Sequence, residues 1–475
     1  MKADIIVSGG TVVAPQWVRK ADLLISGGKI KAIVKPGALK SARTSRIIQA
    51  GGWLILPGVV DAHVHFQLPV GKLKTADDFE SGSRAAAHGG VTTVLDYTAQ
   101  EPGVPLVRGL RSRMDEARGR MHVDYSFHCI IPSWKKLKDP SGQMRRLVSL
   151  GVPTFKMFMI YEGRGLQSDD ADLYQALEAS GRCGATVCVH AESERVLQML
   201  VARYRGQKTL GAMAHALSRP DFTEWEAVQR ALTWGGLTRG HLYFVHLSSG
   251  RSAGLIGQAL RRGIHVHGET CPQYLLLNDS VFRRPDGHLY ATCPQFKKSG
   301  DSRTLWDALK NGSVSVLATD HCSFTRAQKD RWRGDFTRIP YGVPGVETLL
   351  PSIYTYGVCK GRMDLKEMVR LLCENPARLM GLYPRKGTIR EGSDADLVVL
   401  NPKQKRVLDF RRLEGRCDWS PYQGWEMRGF PEYTILRGEV LVEGGEFVGR
   451  TPRGRFLLRG RWLPPLKSNK EGGKI

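Results

Sequence analysis

From residue 60 to residue 320 the chain repeats one alternation: an apolar run of strand length, then a stretch with helical periodicity. The strand-length runs are 60–66, 91–97, 123–131, 154–159, 186–192, 241–247, 264–269 and 314–320. Helical spacing of apolar residues marks 77–88, 169–180, 193–205, 223–237, 252–262 and 302–310. Strand and helix alternating eight times predict an α/β fold, a parallel (β/α)8 TIM-like barrel with helices outside. Chemistry in such a barrel sits where strands end and the following loops begin. The residues at those positions therefore decide what the chain can do.

The two ends of the chain read differently. Asp4-Ile5-Ile6-Val7-Ser8-Gly9-Gly10 and Asp22-Leu23-Leu24-Ile25-Ser26-Gly27-Gly28 repeat one another, and each predicts a strand followed by a glycine turn. Short strands at 396–400, 434–437, 440–442 and 447–448 follow near the other end, spaced by Gly438 and Gly444-Gly445. A small β-sandwich domain formed by both chain ends accounts for them. The expected division is 1–56 and 385–458 for the sandwich, 57–384 for the barrel, and 459–475 as a basic tail, flexible or at a subunit interface.

Composition excludes several classes. The apolar stretch 53–60 is broken by Pro57 and Gly58, short of the roughly 20 residues a membrane span needs. The N-terminus carries Asp4 and then a Gly-Gly break rather than the apolar core of a signal peptide, so a cytoplasmic protein is expected. Nine cysteines, an odd number with no CxxC pair, point to reduced thiols. The net charge of +24 is spread as doublets such as Lys135-Lys136 and Arg261-Arg262, with no nucleic-acid-binding motif, so a solvated basic surface is expected and no specific nucleic acid.

The first strand run ends Asp61-Ala62-His63-Val64-His65. Alternate residues of a strand share a face, which puts His63 and His65 on one side, about 7 Å apart along the backbone. The fifth run carries His190 and then Glu192, the sixth His246, and the eighth ends Thr319-Asp320-His321. One histidine at a strand end is ordinarily a hydrogen-bonded core or surface residue. Four histidines and an aspartate on four strand ends of one barrel make a donor set suited to zinc and similar divalent ions.

The fourth run holds Lys156 among Phe155, Met157 and Phe158. An ammonium buried in apolar surroundings beside cations is unfavourable unless it loses its charge. Neutral lysine reacts with CO2, and the carbamate that results is an anion whose two oxygens can bridge two metals. A lysine reaching to solvent fits the same spacing, and position alone leaves both readings open. His267 and His265 on the seventh run, His321 and Glu192 are further candidates to line a pocket or orient a ligand, with plain hydrogen-bonded packing as the alternative.

With these residues in place, the chain resembles the amidohydrolase superfamily and, within it, the dihydropyrimidinase/hydantoinase group. The resemblance runs from the Asp4 strand to Gly454. It rests on Asp61-Ala62-His63-Val64-His65, Thr154-Phe155-Lys156-Met157-Phe158-Met159, His190-Ala191-Glu192, Val245-His246-Leu247-Ser248-Ser249, Gly268-Glu269-Thr270-Cys271-Pro272-Gln273, Thr319-Asp320-His321, Gly345-Val346-Glu347 and Asn375-Pro376-Ala377. It implies a barrel with a β-sandwich from both termini and two divalent ions, zinc above all. His63, His65 and Asp320 would hold one ion, and His190 and His246 the other. Lys156 would be N6-carboxylysine, a CO2-derived carbamate bridging both.

The implied substrate is a small cyclic amide, a hydantoin or dihydropyrimidine ring opened to an N-carbamoyl amino acid. Water shared by two cations has its pKa lowered from about 15.7 towards about 7. Tyr161 would donate to the oxyanion, and Asp320 would serve as general base and then acid. A homo-oligomer, dimer or tetramer, is implied as well. Dihydroorotases have an arginine two residues after the second histidine, where this chain has Gln67. Allantoinases or other cyclic-imide hydrolases share the same metal site, and non-catalytic scaffold homologues have lost ligands that this chain keeps. Two departures fall at the implied substrate-binding positions: Cys293 stands where the group usually has serine, and Tyr341 where it usually has asparagine. Both predict a changed pocket and a shifted substrate range.

Overall fold

The computed structural model describes residues 2–466. Eight parallel strands form a nearly closed barrel in sequence order: β1 (Val59–Asp61), β2 (Val91–Tyr97), β3 (Asp124–Ile130), β4 (Thr154–Phe158), β5 (Thr186–His190), β6 (Leu242–Phe244), β7 (Val266–Thr270) and β8 (Val316–Leu317). The seam between β8 and β1 is closed by one parallel bridge, Val64 to His321, and by the His65 N–H donating to the His321 carbonyl at 2.8 Å. Every residue of β2, β3, β5 and β7 is buried, as required of strands covered on one face by helices and on the other by the barrel interior. The charged residues on these strands therefore lie inside the fold.

The helical layer starts from good caps. Asp78 caps Phe79–His88 and Asp169 caps Asp170–Cys183, each in a reciprocal capping box, and Gly184 ends the second helix at φ +72°. Helices Leu106–Ala117 and Pro140–Ser149 were not foreseen. The second buries only Met144 and Leu147 along its length, too thin an apolar stripe to read from periodicity.

Three strands end well before the sequence expectation. The first, sixth and eighth runs were expected to be strand to residues 66, 247 and 320, yet regular pairing stops at Asp61, Phe244 and Leu317. Beyond these points the chain turns inward, and His246, Asp320 and Gln67 take positive φ values of 40°, 51° and 48°. Non-glycine residues rarely adopt this conformation, and it gathers at functional sites.

Strands from both chain ends share one nine-stranded sheet, in which Leu54–Pro57 pairs with Leu397–Leu400. Its own core includes Val7, Leu23, Ile55, Leu397 and Ile435. Gly27-Gly28 makes the expected turn, joining Val18–Ser26 to Lys29–Val34. Gly9-Gly10 does not. The strand Lys2–Val13 runs straight through, with a register shift between Val7 and Gly10 and Gly9 at φ +76°. A Cβ on Gly10 would sit 2.5 Å from Ile55 Cδ1, so this glycine serves close packing against the neighbouring strand rather than reversal.

The segment after Gly454 is not a free tail as far as it is described. Its backbone N–H groups at Gly454, Leu457, Arg459, Gly460 and Leu463 donate to carbonyls of Met121, Tyr125, Gly151, Gly381 and Arg378. This strap crosses the N-terminal end of the barrel, and the buried Arg459 donates to the Phe127 carbonyl and the Thr154 hydroxyl. The remainder of the expected tail, 467–475, lies outside the described residues. Barrel and sheet are tied together by Lys386, whose Nζ is fully buried 2.6 Å from Asp124, 2.9 Å from Asp394 and 2.6 Å from Asp396.

Candidate active site

The C-terminal ends of the strands bring His63, His65 and Asp320 into one cluster. His63 Nε2 lies 3.2 Å from His65 Nε2 and 3.2 Å from Asp320 Oδ1, and His65 Nε2 lies 3.1 Å from the same oxygen. Tetrahedral zinc with bonds of about 2.0–2.1 Å places its ligand atoms about 3.3 Å apart. The triangle thus has the size of one face of a zinc coordination shell. Asp61 sets it up across the barrel seam: its carboxylate accepts from the Thr319 N–H at 3.0 Å and the Thr319 hydroxyl at 2.5 Å, next to Asp320. Burial pushes the Asp61 carboxyl up to about 6 against those hydrogen bonds. Asp96 fixes the other side, accepting from the Phe66 N–H at 2.9 Å.

Lys156, His190 and His246 stand beside this triangle. The rings of His190 and His246 are 4.5 Å apart, and His246 is 5.4 Å from His63. Lys156 is buried, its Nζ 5.5 Å from the Tyr97 ring centroid and 5.1 Å from that of Phe158. Burial lowers its pKa to about 8 against the pull of Asp320. The lysine does not reach to solvent, so the alternative left open by position falls. The three buried histidines His63, His190 and His246 are all held below the usual imidazole range, by burial first and Lys156 among the other causes. Neutral imidazole is the form that binds metal.

Tyr161 follows β4 at φ +75°, with its backbone N–H donating to Glu194 at 3.0 Å. Its ring packs edge-on against His190 at 5.5 Å. Burial pushes the phenol pKa well above its ordinary value, so the group keeps its proton and remains a donor. Cys293 and Tyr341 join Tyr161 on the same wall, around Ile160 and Leu197. The Cys293 thiol is turned away from an open contact and donates to Glu192 at 3.1 Å. Tyr341 is sandwiched, its ring 4.9 Å from His215 and 5.2 Å from the Arg219 guanidinium carbon.

The other candidates separate clearly. Glu192 does orient His190, with Oε2 2.8 Å from Nε2. Against the cost of burial, Arg219 and His190 hold its carboxyl well below the usual range. His321 donates from Nε2 to Asp77 at 3.1 Å while its Nδ1 accepts the Gly345 and Val346 N–H groups, so it braces the loop behind Asp320. His265 and His267 are not at the site. They sit at the start of β7 with His241, against Trp462 of the C-terminal strap, on the opposite end of the barrel. Strand position decides this: residue 267 is second in β7, and active ends are last. Gln67 points outward, accepting from Arg120 at 2.8 Å.

Sequence reasoning misses two buried residues of the site. Glu269, near the end of β7, places Oε1 2.7 Å from His63 Nδ1 and accepts the Tyr243 hydroxyl at 2.8 Å. Burial pushes it up to about 8. An acid within a fully buried strand, two residues from another polar side chain on the same face, is the signal that could have found it. Arg219, buried between two helices, carries no such local signal.

The sequence profile described as the amidohydrolase family matches residues 54–441. The D-hydantoinase of Geobacillus stearothermophilus is 36% identical over 461 residues, covering 96% of this chain and 97% of that protein. The D-phenylhydantoinase of Escherichia coli is 36% identical over 424 residues, covering 88% and 90%. The crystal structure of dihydropyrimidinase from Brevibacillus agri superposes with a TM-score of 0.93 at 33% identity, covering 97% of this chain and 99% of that one.

Proposed function

This chain belongs to the amidohydrolase family, and from that premise we propose that it opens a hydantoin or dihydropyrimidine ring, hydrolysing a ring amide C–N bond to give an N-carbamoyl amino acid. The observation that carries the reading is the triangle of His63 Nε2, His65 Nε2 and Asp320 Oδ1 beside the buried Lys156. Likeness to D-hydantoinase and dihydropyrimidinase along nearly the whole chain supports the ring class.

The donor set suits two divalent cations, most simply zinc. His63, His65 and Asp320 would hold one, and His190 and His246 the other. Lys156 would join them as a carbamate, formed when the neutral amine adds to CO2 and releases one proton. When bound, such cations supply Lewis acidity to the carbonyl and lower the pKa of the attacking water. Asp320 takes the proton of that water as the C–O bond forms, then returns it to the ring nitrogen as the C–N bond breaks. Tyr161 donates to the oxygen on which negative charge develops. Cys293 and Tyr341 shape the wall facing the ring and shift its range, Cys293 through its backbone, since its thiol is engaged by Glu192.

No helix among the described residues is long and apolar enough to cross a membrane. Nine free cysteines support a reducing compartment, the cytoplasm. A homo-oligomer, dimer or tetramer, is part of the same proposal and rests on the family resemblance alone.

The test is a screen of zinc-loaded protein against substituted hydantoins, dihydrouracil, allantoin and simple cyclic imides, read by release of the ring-opened acid. Turnover of hydantoins or dihydropyrimidines is expected. Turnover confined to allantoin or imides would replace the ring class, and none at all with two ions bound would leave the scaffold reading.

A further inference from the structure

We propose that Arg219 and Cys293 are positioning residues for His190, acting through the Glu192 carboxylate that all three share. The inference rests on the reading above only in taking His190 as a side chain that holds a metal.

Three distant segments meet at this carboxylate. Glu192 lies in the loop directly after β5, two residues beyond His190, and is completely buried. Its Oε2 lies 2.8 Å from His190 Nε2 and accepts the Cys293 thiol at 3.1 Å. Arg219 Nη1 donates to both carboxylate oxygens at 3.3 Å and to the Cys293 sulfur at the same distance. Arg219 is itself anchored, because its carbonyl accepts Gln295 Nε2 at 2.5 Å and Lys297 Nζ at 3.1 Å.

The chemistry of the carboxylate decides the state of the ring. An ionised carboxylate only accepts, so His190 must present Nε2 as N–H and keep its lone pair on Nδ1. Arg219 and Cys293 both donate to this carboxylate, which fixes its orientation and keeps its oxygen aimed at His190 Nε2.

His190, Glu192 and Cys293 also have ligand atoms close enough for a metal ion. The guanidinium of Arg219 settles that alternative: it already lies against both the sulfur and the carboxylate, neutralises the one negative charge, and repels a further cation. The group is a clamp rather than a third metal site.

Zinc retention by the full-length protein, measured by chelator competition and metal analysis, tests this without a substrate. Glu192→Gln and Arg219→Gln should each weaken one of the two ions by about tenfold or more, the usual cost of losing a partner behind a ligand. The second ion should be unaffected. Cys293→Ser keeps a donor and should retain both ions, whereas Cys293→Ala should weaken the same ion several-fold. Arg459→Gln, another buried arginine but at the far end of the barrel, should lower Tm and keep both ions. Unchanged retention in Glu192→Gln and Arg219→Gln, or loss of both ions in step with Tm, would overturn the proposal. If Arg219→Gln fails to fold, Cys293→Ala decides, and wild-type retention there overturns it. A protein that binds both ions in this manner yet opens no ring would refute the proposed function and leave the clamp standing.

Discussion

His63 Nδ1 lies 2.7 Å from Glu269 Oε1, with both side chains shut off from solvent. With Nδ1–H donating to the carboxylate, the one lone pair of the ring lies on Nε2, which faces His65 and Asp320. The same carboxylate oxygen accepts the His246 backbone N–H at 3.0 Å, so one residue of β7 orders the approach of two histidines from β1 and β6. Glu269→Gln keeps the volume and replaces one of the two carboxyl oxygens that hold His63, Tyr243 and the His246 N–H by an amide donor. It should weaken zinc retention by about tenfold or more, measured by chelator competition, with Tm changed little.

Lys156→Ala should reduce ring opening to background and metal content from two ions to one or fewer. Added short-chain carboxylates such as propionate should restore part of the activity by occupying the space of the missing carbamate, while chloride at equal ionic strength should not. Retention of two ions and full activity would remove the bridging role.

Tyr161→Phe should lower kcat/KM by about 100- to 1,000-fold, or about 3–4 kcal/mol, as for one oxyanion donor. The effect should fall on kcat with KM little changed, because the donor acts on charge that develops only in the transition state. An equal rise in KM would mean that the hydroxyl binds the ground state.

A pH effect on stability comes from a pair remote from the site. His88 Nδ1 lies 2.6 Å from Glu347, and its Nε2 donates to the Gly445 carbonyl at 2.8 Å. Despite burial, Glu347 raises the His88 pKa to about 8 from its ordinary 6.5. A raised folded-state pKa stabilises fully below pH 6.5, and that stabilisation is lost as pH rises through about 8. Burial pushes Glu347 up as well, and a carboxyl raised in the fold loses stability in the same direction as pH rises, so the loss is on the order of 1–2 kcal/mol. Denaturant unfolding between pH 6 and 9 should show this loss in the wild type and a flatter profile in His88→Gln.

Lys386→Met should destabilise the protein by roughly 3–5 kcal/mol, since it leaves Asp124, Asp394 and Asp396 as buried carboxylates without their shared cation. Thermal unfolding checks the prediction, and a loss below 1 kcal/mol would mean that Arg437, which also pairs with Asp124, carries the cluster alone.

The parts legible in the sequence are those that repeat locally. β2 was bounded correctly because a run of seven buried residues between helices has no competing pattern. The ends of β1, β6 and β8 were overextended because apolar residues continue after pairing stops, and the turn of the backbone at His246 and Asp320 has no periodic trace. Gly9-Gly10 and Gly27-Gly28 are the sharpest case. Their local sequences nearly coincide, yet one is a bulge and the other a turn, because only the first lies over Ile55.

The sequence by itself determined the alternation of strand and helix, and with it the barrel and the side chains that end its strands: His63, His65, Lys156, His190, His246 and Asp320. Tertiary structure alone decided what stands behind them. The Asp61–Thr319 seam, Glu269 beneath His63 and the Arg219–Cys293 clamp on Glu192 join residues 27 to 258 positions apart. Local propensity reads along the chain over a few residues, whereas these contacts arise only when barrel closure brings distant segments within hydrogen-bonding distance.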